Sequence, residues 1–445
     1  MAVIAVALRA QPTIVPEKLG VPTRMMWLLD KALGGYIKRG EITVVDHDGK
    51  TYRYGAPDAV FKPVTVRFTD SRVAADIMKD PGLGAAEAFM DGRLVLDQGE
   101  ILDLVNIVRG SHRWEDSKGS NPFLKKSGKL THRLQTLNWK PASLRNVSHH
   151  YDLGNDFYQL FLDPDLQYSC GYFTDPANDV ARAELDNKTH VAAKLCLQPG
   201  MKVLDIGCGW GGMALYLNRV ADVEVLGITL SKEQLVLARR RAEEAGVSDK
   251  VRFELLDYRD ATGVFDRVVS VGMLEHVGQS NFRTYFRKVR ELLAPDGIAL
   301  VHTMARMGGP GTTDKFMQKH VFPGGYLPAL SEIVAASEQE KLIMADCETW
   351  RMHYVYTLRD WYERLKANRD EILRRYDERV YRLYLFYIAA SLTMFRDAPM
   401  CVYQMQYLRE REAAPITRNY MFEDEARLAE KAGPPPAYPD ISALG

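Results

Sequence analysis

Residues 203–212, which read VLDIGCGWGG, form the stretch from which the fold is predicted. A short apolar run ends in an acid, a glycine-dense turn follows, and residues 213–219 have helical character. This order of strand, tight turn and helix is typical of a nucleotide-type cofactor site. Glycines allow positive φ angles and let the backbone approach a ligand closely, and the first N–H groups of the helix are free to bind it. The stretch therefore predicts a cofactor loop at the end of a strand.

Strands and helices alternate after this loop. Strands are predicted at 223–228, 251–256, 267–271 and 297–302, and helices at 179–197, 232–245 and 281–293. Ser231 and Gln234 form a capping-box pattern at the start of the helix at 232–245. The alternation predicts an α/β fold with a doubly wound, mainly parallel sheet that is covered on both faces. Ligands of such sheets bind beyond the carboxyl ends of the strands. Residues that fall at those ends should therefore converge, namely Asp205, Gly207, Thr229, Asp257, Glu275 and His302.

Residues 1–108 are predicted to form a small α+β domain, structural or used for docking. Strands at 41–45 and 51–54 flank His47-Asp48-Gly49, a strong hairpin signal, and a third strand at 64–68 should pair with them. Helices are predicted at 71–79 and 83–90. No titratable cluster accompanies them.

Residues 109–146 are predicted to be a basic linker around a helix at 123–137. Between Arg109 and Arg145 there are nine lysines and arginines against the acids Glu115 and Asp116. The segment is either a solvated connection or is attracted to an anionic surface, where each basic side chain contributes about 1 kcal/mol. The catalytic domain is expected at 147–431, with inserted helices, and a Pro-rich disordered tail at 432–445.

Composition excludes several classes of protein. The 445 residues carry a net charge of zero, which argues against nucleic acid as a partner. The five cysteines have no zinc or disulfide spacing, so we predict no metal site and a reducing, cytoplasmic setting. The N-terminus has no signal-peptide pattern. The longest apolar run, at 384–395, falls short of the roughly 20 residues of a membrane span, so any membrane contact should be peripheral.

The glycines of the loop match the spacing of a dinucleotide site, but two features argue against NAD. Asp205 stands two residues before Gly207, the first glycine of the pattern. The second strand also ends in GITLS, where NAD-binding folds usually place an acid for the ribose. Thr229 or Gln234 would hydrogen-bond a ribose instead, and Asp257 would accept from an adenine amino group. A ligand with adenosine and no pyrophosphate fits better, and S-adenosylmethionine is such a ligand.

Six motifs in one order resemble the cyclopropane-fatty-acyl-phospholipid synthases and the related mycolic-acid cyclopropane synthases. They are YDLGNDFY at 151–158, QYSCGYF at 167–173, VLDIGCGWGG at 203–212, GITLSKEQ at 227–234, VGMLEHVG at 271–278 and FPGGYLP at 322–328. The resemblance covers roughly 147–409, and LGAAEAFMDG at 83–92 is similar to a segment of the bacterial phospholipid enzymes.

The resemblance implies a class I methyltransferase, Rossmann-like fold with S-adenosylmethionine and a bicarbonate ion. The residues expected to bind S-adenosylmethionine are Tyr168, Ser169, Asp205, Gly207, Gly209, Thr229, Gln234 and Asp257. The residues expected to hold the bicarbonate are Cys170, Glu275, His302 and Tyr354, although Tyr356 in HYVYT is an alternative to the last. It also implies a homodimer that acts on unsaturated membrane phospholipid at the inner face of the cell membrane, peripherally associated with that anionic surface.

The chemistry accounts for this set of residues. An alkene attacks the sulfonium methyl group and leaves a carbocation, which aromatic faces stabilise while water is excluded. A base then removes a proton from the added methyl group, and the ring closes. Bicarbonate beside Glu275 requires a shared proton, because two bare anions would repel. Taken singly, Cys170 is typical of an inert thiol and His302 of a core histidine, so it is their joint occurrence that favours catalysis.

Other functions remain open at this point. The first is a fatty-acyl methyltransferase that makes a methyl-branched chain, because the same cation can rearrange before it loses a proton. The second is a small-molecule methyltransferase acting on an amine or hydroxyl, which needs no cation pocket. The third is a non-catalytic lipid- or cofactor-binding protein, against which Cys170, Glu275 and His302 argue together.

Overall fold

The computed structural model of the chain describes residues 21–110, 112–116 and 153–438, which fall in two units. The first unit comprises Met1–Gly128, Asp314–Val321 and Leu365–Ala398, and the second comprises Lys129–Thr313, Phe322–Arg364 and Pro399–Gly445. This division differs from the predicted boundaries, because 314–321 and 365–398 group with the N-terminal domain. The helix predicted at 123–137 lies outside the described residues. The predicted tail is described as far as Tyr438, whose ring lies 3.8 Å from Arg364 Cζ.

The helices and strands follow one another in a fixed order. They are α1 (Val21–Tyr36), β1 (Gly40–Val45), β2 (Thr51–Ala56), β3 (Val64–Phe68), α2 (Arg72–Lys79), α3 (Pro81–Met90), β4 (Leu94–Gln98), α4 (Ile101–Gly110), α5 (Asn155–Gln159), α6 (Val180–Lys194), β5 (Lys202–Ile206), α7 (Gly212–Ala221), β6 (Glu224–Thr229), α8 (Lys232–Glu244), β7 (Val251–Leu255), β8 (Phe265–Val271), α9 (Leu274–Val277), α10 (Phe282–Leu292), β9 (Leu293–Arg306), α11 (Leu330–Gln339), β10 (Ile343–Trp350), α12 (His353–Ala367), α13 (Arg369–Arg375), α14 (Glu378–Asp397), β11 (Met400–Leu408) and α15 (Asn419–Ala432).

The first unit is built on a four-stranded sheet with the order β2-β1-β3-β4. The predicted hairpin is confirmed, since β1 and β2 pair antiparallel around Gly49, whose φ is +81°. The Asp46 carboxylate holds the turn by accepting from the backbone N–H groups of Asp48 and Lys50. Strand β3 pairs with β1, as predicted, and does so in parallel. Strand β4 and helix α4 were not predicted.

Buried rings join the later segments to the N-terminal part of the first unit. The ring of Phe386 on α14 lies 6.4 Å from Phe89 and 5.0 Å from Phe316. Surface ion pairs such as Lys315–Asp80 and Arg379–Asp91 accompany them, but exposed pairs of this kind contribute little. The packed aromatic rings therefore explain why both segments belong to this unit. No helix among residues 21–110, 112–116 and 153–438 combines the length and apolar character needed to cross a membrane.

The second unit contains a seven-stranded sheet with the order β10-β11-β9-β8-β5-β6-β7. The strands from β9 to β7 are parallel, which confirms the predicted α/β sheet. Strands β11 and β10 extend it antiparallel beyond β9 and were not predicted. Every residue of β11 is buried, including Gln404 and Gln406, so its burial does not alternate as it does in a half-exposed strand.

The glycine loop, residues 207–212, depends on the absence of side chains. Gly207 has φ +83°, and a Cβ there would lie 3.0 Å from Met273 Cγ. Gly212 begins α7, and a Cβ there would collide with the side chain of Gln167. The loop therefore packs tightly against neighbouring segments.

Helix α8 has only half of the predicted capping box. The Ser231 hydroxyl accepts from the backbone N–H of Gln234, as predicted. The Gln234 side chain instead accepts a hydrogen bond from Thr229 Oγ1, at 3.0 Å. Its amide is thus tied to the end of β6 rather than to the helix start.

Candidate active site

A cavity of about 180 Å³ lies at the carboxyl ends of β5, β6, β7 and β8 in the second unit. That space holds on the order of a dozen water-sized groups, enough for a small organic ligand. All the residues predicted to bind the cofactor line it, namely Tyr168, Ser169, Asp205, Gly207, Gly209, Thr229, Gln234 and Asp257. The structure thus brings together residues that are up to 89 positions apart, between 168 and 257. Their binding roles stay predictions.

Asp205 supplies a carboxyl group to the cavity from strand β5. Its side chain is buried, and its Oδ2 atom has no hydrogen-bond partner among the described residues. Burial raises the pKa of Asp205 to about 7, because a charged carboxylate is poorly solvated there. A cationic ligand in the cavity would compensate for this lost solvation and favour the ionised form.

The other polar groups of the cavity are held by neighbours. Thr229 Oγ1 accepts from the backbone N–H of Ser231 at 3.1 Å and donates to Gln234 Oε1. The Asp257 carboxylate accepts from Arg259 Nε at 2.8 Å and from its Nη2 at 2.6 Å. An adenine amino group would therefore share Asp257 with Arg259, which is feasible because a carboxylate has about four acceptor positions.

Aromatic rings form one side of the cavity. Tyr168 and Trp210 line it, and the ring of Tyr158 lies 5.5 Å from the first and 5.2 Å from the second. Trp361 lies 5.3 Å from Tyr168. Trp210 donates its indole N–H to Asn155 Oδ1 at 2.6 Å, which fixes the ring. Such ring faces suit a cationic ligand or a cationic intermediate.

A buried ion cluster holds the segment that carries Tyr168 and Ser169. The Asp165 carboxylate accepts from Lys188 on α6 and from Arg241 on α8. Burial alone would raise the pKa of Asp165, but these two cations lower it to about 2. Ser169 in turn donates to Glu184 Oε2 at 3.2 Å. The cluster was not predicted, since its members come from three separate segments.

The four residues predicted to be catalytic are all buried, and none is among the residues that line the cavity in the described part of the chain. Two hydrogen bonds connect the segments that carry them. Glu275 accepts from the backbone N–H of Met304, which lies two positions after His302 on β9. The backbone N–H of Gly171, the neighbour of Cys170, donates to Thr357 at 3.1 Å, one helical turn from Tyr354.

Burial shifts the pKa of each titratable member of this set toward its uncharged form. It raises the pKa of Glu275 to about 7, and Glu275 Oε2 has no partner among the described residues. Burial, together with the charge of Glu184, also raises the pKa of the Cys170 thiol well above its ordinary value. Burial and the charges of Lys194 and His190 lower the pKa of His302 to about 3. A protonated carboxyl, a thiol and a neutral imidazole can all donate hydrogen bonds to one anion.

The two candidate tyrosines on α12 have different surroundings. The ring of Tyr354 is buried and lies 5.9 Å from Trp361, which contacts the cavity residue Tyr168. Tyr356 is only half-buried, with its ring 5.4 Å from Phe173 and 5.5 Å from Arg359 Cζ. These contacts favour Tyr354 over Tyr356 as the member of the site.

Several residues around the site were missed by the sequence analysis. His276 and Phe322 line the cavity, and burial lowers the pKa of His276 to about 4, so it is neutral. Lys194 and Gln404 stand behind His302. Lys194 belongs to α6, whose evenly spread charges are typical of a solvated helix, yet nearly every residue of it is buried. The sequence therefore carried no signal for Lys194.

Known proteins are similar to this chain. Residues 139–405 match the family described as mycolic acid cyclopropane synthetase. The chain is 36% identical over 353 residues, 78% of its length and 88% of the relative, to cyclopropane-fatty-acyl-phospholipid synthase of Escherichia coli (strain K12). It is 41% identical over 295 residues, 64% of its length and 75% of the relative, to a probable fatty acid methyltransferase of Pseudomonas putida. The crystal structure of mycolic acid cyclopropane synthase CmaA1 complexed with SAH and CTAB superposes with a TM-score of 0.57 at 32% identity, covering 59% of this chain and 97% of the other.

Proposed function

The chain belongs to the mycolic acid cyclopropane synthetase family of S-adenosylmethionine-dependent enzymes, and its second unit has the class I methyltransferase fold, a premise from which we propose a specific reaction. The enzyme transfers a methylene group from S-adenosylmethionine to the cis double bond of an unsaturated acyl chain in a membrane phospholipid, and a cyclopropane ring forms. The observation that carries the proposal is the cavity at the strand ends, which every residue expected to bind S-adenosylmethionine lines.

The cavity suits a cationic adenosine ligand. Asp205 offers a carboxyl oxygen, Oδ2, that has no partner among the described residues, and Gly207 and Gly209 leave the backbone open to close approach. Thr229 or Gln234 would hold the ribose, and Asp257 would accept from the adenine amino group. S-adenosylmethionine supplies an electrophilic methyl group on its sulfonium. Tyr168 and its aromatic neighbours exclude water and stabilise positive charge on the acyl chain.

Cys170, Glu275, His302 and Tyr354 would hold a bicarbonate ion. Two observations support the fit: the unpartnered Oε2 of Glu275, and pKa shifts that favour the uncharged forms of Cys170, Glu275 and His302. Neutral donors stabilise one anion, whereas an ionised Glu275 would repel it. Bicarbonate supplies a base that is less prone than a carboxylate side chain to trap a carbocation. Glu275 holds its proton toward that ion.

The membrane and the dimer belong to the same proposal. The basic segment 109–146 faces anionic headgroups at the inner surface of the cell membrane, and a homodimer lets one subunit hold the surface while the other reacts. The N-terminal domain supports docking. Vesicle binding should weaken as salt rises, because exposed charges are screened within about 10 Å at 0.1 M salt. Replacing Lys125, Lys126 and Lys129 by Gln should reduce binding to anionic vesicles and leave the weak binding to neutral vesicles unchanged.

One assay tests the central reaction. The protein is incubated with methyl-labelled S-adenosylmethionine and liposomes of unsaturated phospholipid, and the released acyl chains are weighed by mass spectrometry. A gain of one CH2 unit supports the proposal, and label that never enters lipid contradicts it. A parallel incubation in bicarbonate-depleted buffer should lose activity and recover it when bicarbonate is returned. Full activity in the depleted buffer would refute the role given to bicarbonate.

A second candidate is a fatty-acyl methyltransferase that produces a methyl-branched chain. It is favoured by the 41% identity to the Pseudomonas putida relative, whose name specifies a fatty acid methyltransferase. Both products gain the same mass, so the lipid is analysed by proton NMR. Cyclopropane protons at high field support the ring, and a methyl doublet with no ring signal supports the branch. A small-molecule methyltransferase would label neither.

A further inference from the structure

A chain of buried hydrogen bonds runs behind His302. Gln404 Nε2 lies 3.2 Å from His302 Nδ1, and Gln404 Oε1 accepts from Lys194 Nζ at 2.7 Å. Lys194 Nζ also donates to Glu348 Oε2 at 2.5 Å, and His190 Nε2 lies 2.7 Å from the same oxygen. We call His302, Gln404, Lys194, Glu348 and His190 the histidine relay. Gln404 and Lys194 are almost fully buried, at 0% and 1% exposure, so water cannot replace these contacts.

The ammonium group of Lys194 fixes the direction of every hydrogen bond between it and His302. An ammonium only donates, so the atom of Gln404 that faces it must be the amide oxygen. The amide NH2 group must then face His302, and an NH2 group also only donates. His302 Nδ1 is therefore the acceptor and carries no proton. In a neutral imidazole the proton is then on Nε2.

We propose that Lys194 and Gln404 are positioning residues that hold His302 in the neutral tautomer with its proton on Nε2. A lysine that never touches the reactants thus decides which ring nitrogen donates. In that tautomer the ring donates one N–H, from Nε2, at the edge of the ring away from Gln404. If the proposed function holds, on which this consequence rests, the N–H donates to the bound anion in every turnover.

The surroundings of the relay also oppose a second proton on His302. A proton on Nδ1 would point at the NH2 group of Gln404, and two donors cannot pair. The charged groups around His302 are Lys194, His190 and Glu348, and the two cations outweigh the single acid in lowering the pKa of His302. Burial alone would lower the pKa of His190, but the hydrogen bonds that its ring makes to the carboxylates of Glu348 and Glu425 raise that pKa and favour the protonated ring. His302 is thus a fixed donor rather than a proton carrier, and the proton beside the anion belongs to Glu275.

Gln404→Glu is the sharpest test, because it keeps the size of the side chain. A carboxylate still accepts from Lys194, so the buried contact is retained and the fold is preserved. Its second oxygen is an acceptor, however, and it should draw a proton to His302 Nδ1. Nitrogen-15 NMR of histidine-labelled protein should show an unprotonated Nδ1 at His302 in the wild type and a protonated Nδ1 in Gln404→Glu. The same variant should lower kcat about 10- to 100-fold, which is the loss seen when the hydrogen-bond partner of a metal-binding histidine is changed. Its KM for S-adenosylmethionine should stay within about twofold of the wild-type value.

Lys194→Met and Lys188→Met form a matched pair on α6. Both remove a buried ammonium, but Lys188 pairs with Asp165 and lies outside the relay. Lys194→Met should free the Gln404 amide to turn and give a mixture of His302 tautomers. Lys188→Met should leave the His302 nitrogen signals unchanged even if the protein is less stable. A wild-type Nδ1 that carries the proton, or a tautomer unaltered in both Gln404→Glu and Lys194→Met, would overturn the proposal. The nitrogen signals need no turnover, so a protein that makes no lipid product would refute the proposed function and leave this test intact.

Discussion

Asp205 and Glu275 are two buried carboxyl groups with the same shifted pKa, about 7, but they belong to different regions of the second unit. Asp205 lines the cavity at the strand ends. Glu275 accepts a hydrogen bond from the backbone of β9 and is not among the described residues that line that cavity. Each has one oxygen with no partner among the described residues. In the proposed function the first faces a cation and must lose its proton, while the second faces an anion and must keep it. The same burial therefore prepares two opposite charge states, and the ligand decides between them.

The two regions also differ in how the chain builds them. The cavity is formed by short loops that follow adjacent strands, and backbone conformation fixes their positions. The buried region of Cys170, Glu275, His302 and Tyr354 is assembled from distant segments. Side chains there are held by backbone N–H groups and by Gln404. Changes in the cavity should therefore affect binding, and changes in the buried region should affect the chemical step.

The largest expected effect separates the two carboxyl groups directly. Glu275→Gln should lower product formation at least about 100-fold, because it removes an acid that serves the chemical step. Its affinity for S-adenosylhomocysteine should stay within about twofold. Asp205→Asn should show the reverse pattern: its affinity for the cationic S-adenosylmethionine should fall about 10-fold or more, because a charge-assisted contact is lost. Calorimetry and the liposome assay measure the two quantities, and lost affinity in Glu275→Gln would place that residue in the cofactor site.

The next effect concerns the tyrosines of α12. Tyr354→Phe should lower kcat about 10-fold, since it removes one hydroxyl donor from the anion site. Tyr356→Phe should change kcat less than about twofold, because that ring packs on Phe173 and Arg359 instead. The pair is matched, as each variant removes one oxygen from the same helix. Equal losses in both would mean that the site reaches further along α12 than its contacts indicate.

These differences explain which features could be predicted from the sequence. The parallel strands and the glycine loop depend on local patterns, so they were predicted. Of the residues that line the cavity, Tyr168 and Ser169 were expected from the family resemblance, and His276 and Phe322 were missed. Strand β11 was missed; it is buried throughout, and its two glutamines, Gln404 and Gln406, find their partners on segments far away in the sequence. Lys194 was missed because charges spread along a helix usually indicate a solvated face, and only the folded chain shows Gln404 and Glu348 beside it. Partners far apart in sequence leave no local pattern.

A glycine pair tests whether the cavity depends on its backbone. Gly207 and Gly200 have φ angles of +83° and +79°, so alanine at either position should reduce the free energy of unfolding by about 1 kcal/mol. Only at position 207 would the new Cβ press on another residue, Met273, and only that position lines the cavity. Gly207→Ala should therefore weaken binding of S-adenosylhomocysteine about fivefold as well. Gly200→Ala should bind normally, and weakened binding there would show that general destabilisation accounts for both.

The smallest effect is a proton exchanged on binding, and it compares Asp205 with Glu275 in one experiment. Because burial raises the pKa of Asp205 to about 7, about half of its carboxyl groups are protonated in the free protein at pH 7. A cationic ligand requires the ionised form, so binding should release about half a proton at pH 7 and nearly one at pH 6. Calorimetry of S-adenosylmethionine in two buffers of different protonation enthalpy measures that number.

The raised pKa of Asp205 also sets the direction in which ligand affinity and the free energy of unfolding change with pH. Affinity should rise with pH up to about 8 and then level off, as Asp205 becomes fully ionised. In the free protein the raised pKa means that the folded state binds the proton more tightly than the unfolded state, in which the carboxyl group titrates near its ordinary value of about 4. The free energy of unfolding should therefore fall between about pH 4 and 7, and Asp205→Asn should flatten part of that fall. Proton release should vanish in Asp205→Asn and persist in Glu275→Gln, because only the cavity carboxyl group meets the cation. If proton release disappears in Glu275→Gln instead, Glu275 rather than Asp205 is the carboxyl group that meets the cation.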